Sequence, residues 1–430
     1  SRLNFNSLHW NFLTYYDKRV AKDQVALSSG ALLFEDSSNL HGEIQGNTGF
    51  AGGKGFLVGG IAYHEQDVDT SNEQGFHTLM AEAKSENQQA AFGQLEYNFT
   101  DKLKAVVAAR VDESTLHDTQ VSPKGSIVYS FTPNHTVRVT YNQAFQVPNY
   151  SELFLRAPAG APITAFAPLE AALAPLLGGR TLGLRSIPIL AFGNENLDVE
   201  EITSYEVGYS AILSSKLFLT LDYYQSEIEN FVTDLLPGVN PEFPGYTPPA
   251  FLPAAVQAQI LATLRGGLGP ANFAGLTAVN GLPALVFSYT NAGVVDTQGI
   301  DLGLNYYVTN QWVVDFSYSW FDFEVQEQLA LDRLLPNAPE NKVSAGLTYS
   351  GERFGASMKY RWVDDFPWAA GVFVGDVPSY NIVDLSGRYD ISDSWQVGVD
   401  ISNLFDEENF QSFGGDLLSR RALGHVSFSW

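Results

Sequence analysis

Cysteine is absent from this chain of 430 residues. Disulfide scaffolds, cysteine-based zinc sites and thiol nucleophiles are excluded with it. Long apolar runs are missing too. A helical membrane protein needs roughly 18 or more consecutive apolar residues, and no segment supplies them. Charge is sparse at 17% of residues, and positive charge is sparser, with 24 Lys and Arg against 48 Asp and Glu. The formal net charge of −24 argues against nucleic acid as a partner, because its phosphates would be repelled. An initiator Met and a charged-then-apolar leader are lacking, so any signal peptide is expected to have been removed. The chain starts in mid-pattern at Ser1-Arg2-Leu3, and further sequence is expected upstream.

Aromatic residues are abundant at 13%, with 20 Tyr and 29 Phe, while apolar content is an ordinary 45%. The pattern is a two-residue alternation. It runs through Leu103-Ala105-Val107-Ala109-Val111, Val137-Val139-Tyr141 and Trp312-Val314-Phe316-Tyr318-Trp320. The intervening residues are polar, as in Asp301-Gly303-Asn305. A helix would repeat every 3.6 residues and would not produce this. The last ten residues alternate to the end, with Val426, Phe428 and Trp430 on one face and His425, Ser427 and Ser429 on the other. Such a tail looks like the closing strand of an outer-membrane barrel, apolar toward lipid and polar toward the lumen.

Short turns at 100–102, 132–135, 214–216, 309–310, 351–353 and 392–394 alternate with long segments at roughly 145–199, 231–296, 324–339, 364–378 and 404–420. That asymmetry fits periplasmic turns on one rim and extracellular loops on the other. The reading is an all-β fold, a transmembrane antiparallel β-barrel of about 17 strands, the first near Leu3 to Tyr16. A periplasmic C-terminus makes the first strand run downward as well. Single-chain bacterial barrels usually have an even number of strands, so the odd count predicts missing N-terminal strands. Short helices are expected in two loops, over 254–264 and 166–177, neither long enough to span a bilayer.

Four strings then carry a family resemblance. They are Tyr141-Asn142-Gln143-Ala144-Phe145-Gln146-Val147-Pro148-Asn149 continuing to Glu152-Leu153-Phe154; Gly193-Asn194-Glu195-Asn196-Leu197 with Glu200 and Ser204 to Tyr209; Asn291-Ala292-Gly293 with Gly299-Ile300-Asp301; and Ile401-Ser402-Asn403-Leu404-Phe405-Asp406 with the terminal Trp430. Together they resemble the TonB-dependent outer-membrane receptors. The likeness is clear from Gln88 onward and weaker before it, and Val199 stands where that family usually has Pro. The resemblance implies a barrel of about 22 strands filled by a plug. It implies a scarce ligand bound by the outer loops, and an inner-membrane TonB complex that pulls on the plug. Residues 1–430 are then one β-barrel domain, N-terminally incomplete, without the plug. Residue by residue, Gly193, Gly293 and Gly299 are expected to supply positive φ at strand ends, and Asn194, Asn196 and Asn291 to cap turns.

Enzyme chemistry finds no support. The seven His are scattered, and neither G-x-S-x-G nor H-E-x-x-H occurs. The string Asp67 to Glu73 faintly resembles a calcium loop, but Asn72 and Thr78 stand where Gly and Glu are needed. No catalytic residue, metal or cofactor is expected. Ligand-binding candidates are the loop aromatics and basics: Tyr150, Phe154, Arg156, Tyr246, Arg265, Phe366, Trp368 and Phe373. Rings can stack on sugars or aryl groups, and Arg can fork onto carboxylate or phosphate. The competing reading is that these rings pack the loops against one another. The expected function is TonB-energised uptake of a siderophore, cobalamin, oligosaccharide or peptide, with outer-membrane lipid around the wall. The alternatives are a structural or adhesive barrel holding another outer-membrane protein, and a passive porin.

Overall fold

The computed structural model describes residues 1–25, 32–72, 77–370 and 373–429. In chain order the strands are β1 (Arg2–Asn6), β2 (Trp10–Val25), β3 (Leu32–Phe50), β4 (Gly55–Asp69), β5 (Lys84–Asn98), β6 (Leu103–Ser114), β7 (Gln120–Thr132), β8 (His135–Gln146), β9 (Arg156–Ile163), β10 (Ile187–Phe192), β11 (Glu200–Ser214) and β12 (Leu217–Val232). They continue with β13 (Leu236–Pro237), β14 (Leu276–Val279), β15 (Leu282–Ser288), β16 (Asn291–Tyr307), β17 (Trp312–Glu327), β18 (Asn341–Ser350), β19 (Phe354–Val363), β20 (Phe366–Ala370), β21 (Phe373–Val377), β22 (Tyr380–Asp390), β23 (Trp395–Ser402) and β24 (Arg421–Phe428). The helices are α1 (Tyr150–Phe154), α2 (Ala167–Leu177) and α3 (Ala254–Ala274).

Seventeen of these strands form one antiparallel wall. Each pairs with the next wall strand, and the chain skips inserted loops where β8 meets β11, β12 meets β16 and β19 meets β22. The strand expected over Leu3 to Tyr16 is in fact two, β1 and β2, paired as a hairpin. Ser7 closes the turn between them, its hydroxyl oxygen accepting from the Trp10 amide at 3.1 Å. Alternation alone could not reveal this, because one small polar residue inside an alternating run does not break the period. Among the described residues β1 pairs only with β2, and β24 only with β23. Trp430 lies outside the described residues.

Side chains sort by parity, as the pleat requires. On β6 to β8 the aliphatics Val107, Ile127 and Val139 stand exposed on one face, while Arg110, Lys124 and Arg138 share the other. Rings crowd the apolar face at the short-turn rim, where Trp312 meets Tyr349 at 4.8 Å and Trp395 meets Phe428 at 4.8 Å. Toward the opposite rim one diagonal recurs four times. Tyr63, Tyr223, Tyr318 and Tyr360 donate to Asn87, Gln298, Asn341 and Asn381 on the next wall strand, at 2.6–3.1 Å. Each amide sits two residues above the one directly opposite its tyrosine. The two rings of aromatics bound an apolar band with polar groups beyond it, as in outer-membrane barrels. No helix among the described residues is long and apolar enough to cross a membrane; strands do the crossing.

The densest core lies in the loops. The 147–199 and 233–290 segments fold together, β10 from the first pairing in parallel with β15 from the second. With β9, β13 and β14 they make a five-stranded sheet. Helices α2 and α3 pack on it through Phe166, Leu177, Leu184, Ile187, Ile260 and Leu264. Both helices match expectation in place, but α3 runs ten residues further, to Ala274, with a break at Gly269-Pro270 where Gly269 has φ 76°. The loop strands were not expected, because their partners are far apart in the chain.

Candidate functional site

The loop assembly is seated on the wall by residues of the first three strings. Asn149 caps α1, its side-chain oxygen accepting from Ser151 and Glu152 amides at 3.0 and 3.1 Å. Glu152 returns the bond by accepting from the Asn149 amide at 2.7 Å. Burial raises the Glu152 pKa above the usual carboxylate range, against the pull of those Asn149 bonds. Gly193 donates to Leu155 O at 2.8 Å, and Asn194 to Glu152 O at 2.8 Å. A Cβ at Gly193 would lie 2.5 Å from the Leu153 carbonyl. Gly193, Gly293 and Gly299 are absent from the positive-φ set, which corrects the expectation for them. They are needed for close approach: Gly293 faces Phe231 and Leu334, and Gly299 lies under the Tyr224 ring. Asn194 does close a turn, accepting from the Asn196 amide at 3.0 Å. Asn196 itself donates to Glu242 at 3.0 Å. Asn291 bridges segments, accepting from the Asp198 amide at 2.9 Å and donating to Asn230 O at 2.7 Å.

Five of the eight candidate residues lie in this assembly, and the other three in the separate β20–β21 hairpin. Phe154 is buried with Met80, Leu153 and Leu197, and Tyr150 packs against that cluster. The Lys84 ammonium lies 4.6 Å from the Phe154 ring centre. The Tyr150 hydroxyl donates to Gln66 O at 3.3 Å, and burial, then Glu86 and Asp67, push its pKa well up. Arg156 lies over Phe192 and Phe243, 4.8 and 5.7 Å from their ring centres, and donates to Gly193 O at 3.2 Å. Tyr246 is buried in the α2–α3 core. Arg265 covers Phe273 on its own helix at 4.7 Å. Phe366 is buried beside Trp368 in the β20–β21 hairpin, and Phe373 pairs there with Ala370. The structure therefore brings Tyr150 and Phe154 together, and Phe366 and Trp368 together, but does not gather the eight at one point.

Two loop carboxyls have opposite electrostatics. Glu170 is buried, which disfavours its charge. The Thr181 hydroxyl at 2.6 Å and the amides of Leu182, Leu184 and Arg185 outweigh that and hold its pKa below the usual range. Asp332, in the 328–340 loop, accepts from the Asp234 and Arg333 amides, but its buried Oδ2 has no partner. Burial and the Asp234 charge raise its pKa. Tyr289 nearby is pushed up to about 12, by burial first and then by Glu152 and Asp234.

Sequence reasoning passed over the lumen face of the wall, although the same alternation marks it. Arg110 is clamped by buried Asp112, with Nη2 to Oδ1 at 2.8 Å. Arg138 bonds both Glu206 and Asp222, and Arg361 bonds Asp384 at 2.8 Å. Lys124 makes no ion pair or side-chain hydrogen bond among the described residues. It lines a lumenal recess of about 720 Å³ with Phe92, Arg110, Ser122, Asn142 and Glu43. The Arg110 guanidinium lies 5.7 Å from the Phe92 ring centre. A free cation, a ring, an amide and a hydroxyl suit a hydrogen-bonding anionic or aryl group. Among the described residues no three His, Asp or Glu side chains converge as a metal site.

Residues 2–404 match the family described as TonB dependent receptor-like, beta-barrel. The chain belongs to that family. TonB-dependent receptors are proteins of the Gram-negative outer membrane, and the apolar band of this barrel lies there. Over 150 residues the chain is 23% identical to the probable TonB-dependent siderophore receptor PiuA of Acinetobacter baumannii, which covers 29% of this chain and 18% of the relative. Over 129 residues it is 29% identical to the metal-pseudopaline receptor CntO of Pseudomonas aeruginosa, covering 28% and 18%. The fold matches the ferric enterobactin receptor PfeA of Pseudomonas aeruginosa with a TM-score of 0.64 at 13% identity, covering 99% of this chain and 60% of that one. The copper transporter OprC matches with a TM-score of 0.66 at 15% identity, covering 100% and 64%. At such identities the likeness speaks for the fold alone. The chain spans less than two thirds of the length of these relatives and structures.

Proposed function

We propose that residues 1–430 are the greater part of the wall, with its outer loops, of a receptor that takes up a scarce ligand across the outer membrane. An inner-membrane TonB complex supplies the energy, through a plug encoded outside this segment. About five further wall strands complete the barrel. The edges of β1 and β24 that have no partner strand among the described residues support this reading. In hydrocarbon an unpaired edge leaves amides and carbonyls unsatisfied, each costing several kcal/mol, so spanning barrels close. The carrying observation is the pairing of a polar lumen wall with two long loops that fold into one structured cover.

Within the ligand classes considered, an anionic metal chelate fits best. Its carboxylate, catecholate or hydroxamate groups suit Lys124 and the Phe92–Arg110 face of the recess, and PiuA and CntO are named for a siderophore and metal-pseudopaline. Loop residues such as the aromatic Tyr150 and Trp368 and the basic Arg156 are proposed as first contacts. The test is a panel of ferric siderophores, cobalamin and oligosaccharides, offered to cells expressing the full-length receptor, with uptake followed by radiolabel. Uptake of a chelate that fails without TonB is expected. TonB-independent entry of all small solutes would point to a porin. No uptake, with loss of cell attachment on deleting residues 147–199, would point to a docking barrel, a role the packed loop domain also suits.

A further inference from the structure

One recess on the outside of the wall is not explained by ligand uptake. A groove of about 500 Å³ crosses β2 to β6 on the apolar face. Phe12, Ile44, Ile61, Ala91 and Val111 line it, and they stand directly opposite one another in successive strands. Gly42 opens the floor: a Cβ there would meet no atom within 4 Å. Four strand spacings make the groove roughly 20 Å long, and a chain spanning one leaflet needs about 15 Å.

Its direction is informative. Phe12 lies near the start of β2, at the short-turn rim, and Val111 near the end of β6, at the long-loop rim. The row therefore climbs toward the outer leaflet. At the upper end the lining turns polar, with Gln89, Glu113 and Thr119. These three side chains have no hydrogen-bond or ionic partner among the described residues. Tyr63, at the same level, is already committed to Asn87 and Glu65.

We propose that this groove seats an acyl chain of an outer-leaflet glycolipid, whose sugar hydroxyl or amide groups donate to Glu113 and meet Gln89 and Thr119. The groove is continuous with the lipid-facing band, so a bilayer lipid is the molecule that meets it. Within lipid there is no hydrophobic gain from contact, and affinity comes from packing and interfacial hydrogen bonds. A flat wall touches a chain along its underside only, whereas the open groove also meets its flanks. The unpaired Glu113 carboxylate accepts from hydroxyls and repels a phosphate, which favours a sugar head over a phosphoglycerol one.

The test uses the full-length receptor in detergent and native mass spectrometry. The probe is a diacyl glucosamine lipid, with dimyristoyl phosphatidylglycerol as competitor. The wild type should hold one glycolipid that the competitor does not displace at equal concentration. Ala91→Phe, which fills the groove, should lower retention at least tenfold, and Gly42→Leu should act the same way from the other side. Ala345→Phe, a lipid-facing change elsewhere on the wall, should retain the probe, and Glu113→Gln should lose only part of it. Equal retention by Ala91→Phe and Ala345→Phe, or ready displacement by phosphatidylglycerol, would overturn the proposal.

Discussion

Ile260 and Leu264 in the loop domain are 0% exposed, whereas Val107 and Val139 in the wall remain 60% and 52% exposed. All four are aliphatic, so the difference lies in the solvent each region meets. The loop domain stands in water and must bury its aliphatics against one another. The wall stands in lipid, where an outward Val is already satisfied. There the backbone ladder, with amides and carbonyls paired from strand to strand, holds the structure. A core substitution should therefore act in the loops alone, and a charge on the lipid face in the wall alone.

The largest effect is expected for Ile260→Ala. It should destabilise the loop domain by about 2–5 kcal/mol through lost burial and a cavity. Hydrogen exchange should speed up across 147–199 and 233–290 and leave β2 to β8 unchanged. Exchange that rises equally in the wall would make the two regions one cooperative unit. Phe316→Arg reverses the experiment. Phe316 lies in the row Trp312 to Trp320, opposite Leu304 and Ala345. An arginine there should cost about 2–4 kcal/mol in a lipid-refolding titration if the site is near the midplane. An unchanged titration would place that row away from lipid.

Glu170→Gln is expected to cost about 1–3 kcal/mol, because an amide cannot accept the four bonds the carboxylate accepts. Its pH dependence has a definite sign. The Glu170 pKa is lowered in the folded state, so its contribution is present above the ordinary carboxylate pKa and lost as pH falls through the lowered value. Asp332 has a raised pKa, so its contribution is full below the ordinary value and lost as pH rises through the raised one. Acidification should thus loosen 178–187 and tighten 328–340, as read by exchange at acid and neutral pH. Loosening of both would contradict the assigned shifts. The smallest effect belongs to Tyr318→Phe, which removes one of the four diagonal bonds and should cost about 0.5–1.5 kcal/mol. Thermal unfolding with and without the change would read it.

Much of the wall was legible because a strand writes its two environments into alternate residues. The runs through Val107, Val139 and Trp312 needed no partner to be recognised. The hairpin at Ser7 was invisible, since the alternation continues through it. The loop sheet was invisible for a different reason. β10 and β15 pair in parallel across almost a hundred residues, and nothing local to Ile187 or Leu285 names the other. The same holds for the site. Arg156 reads as a free cation in the sequence, yet its place over Phe192 and Phe243 joins two loops. Lys124 reads as an ordinary strand lysine, and only the tertiary structure shows that it makes no ion pair among the described residues.

Residue order by itself determined that this protein is a wall of alternating strands with greasy and wet faces, because the pleat has a period of two and the bilayer rewards it. Which strands lie side by side was nearly determined too, since short turns leave little choice. The tertiary structure alone decided how the two long loops interlock, and which acids and bases of neighbouring strands pair on the lumen face. Those contacts join residues far apart in the chain, so their energies depend on where the ladder has already brought them.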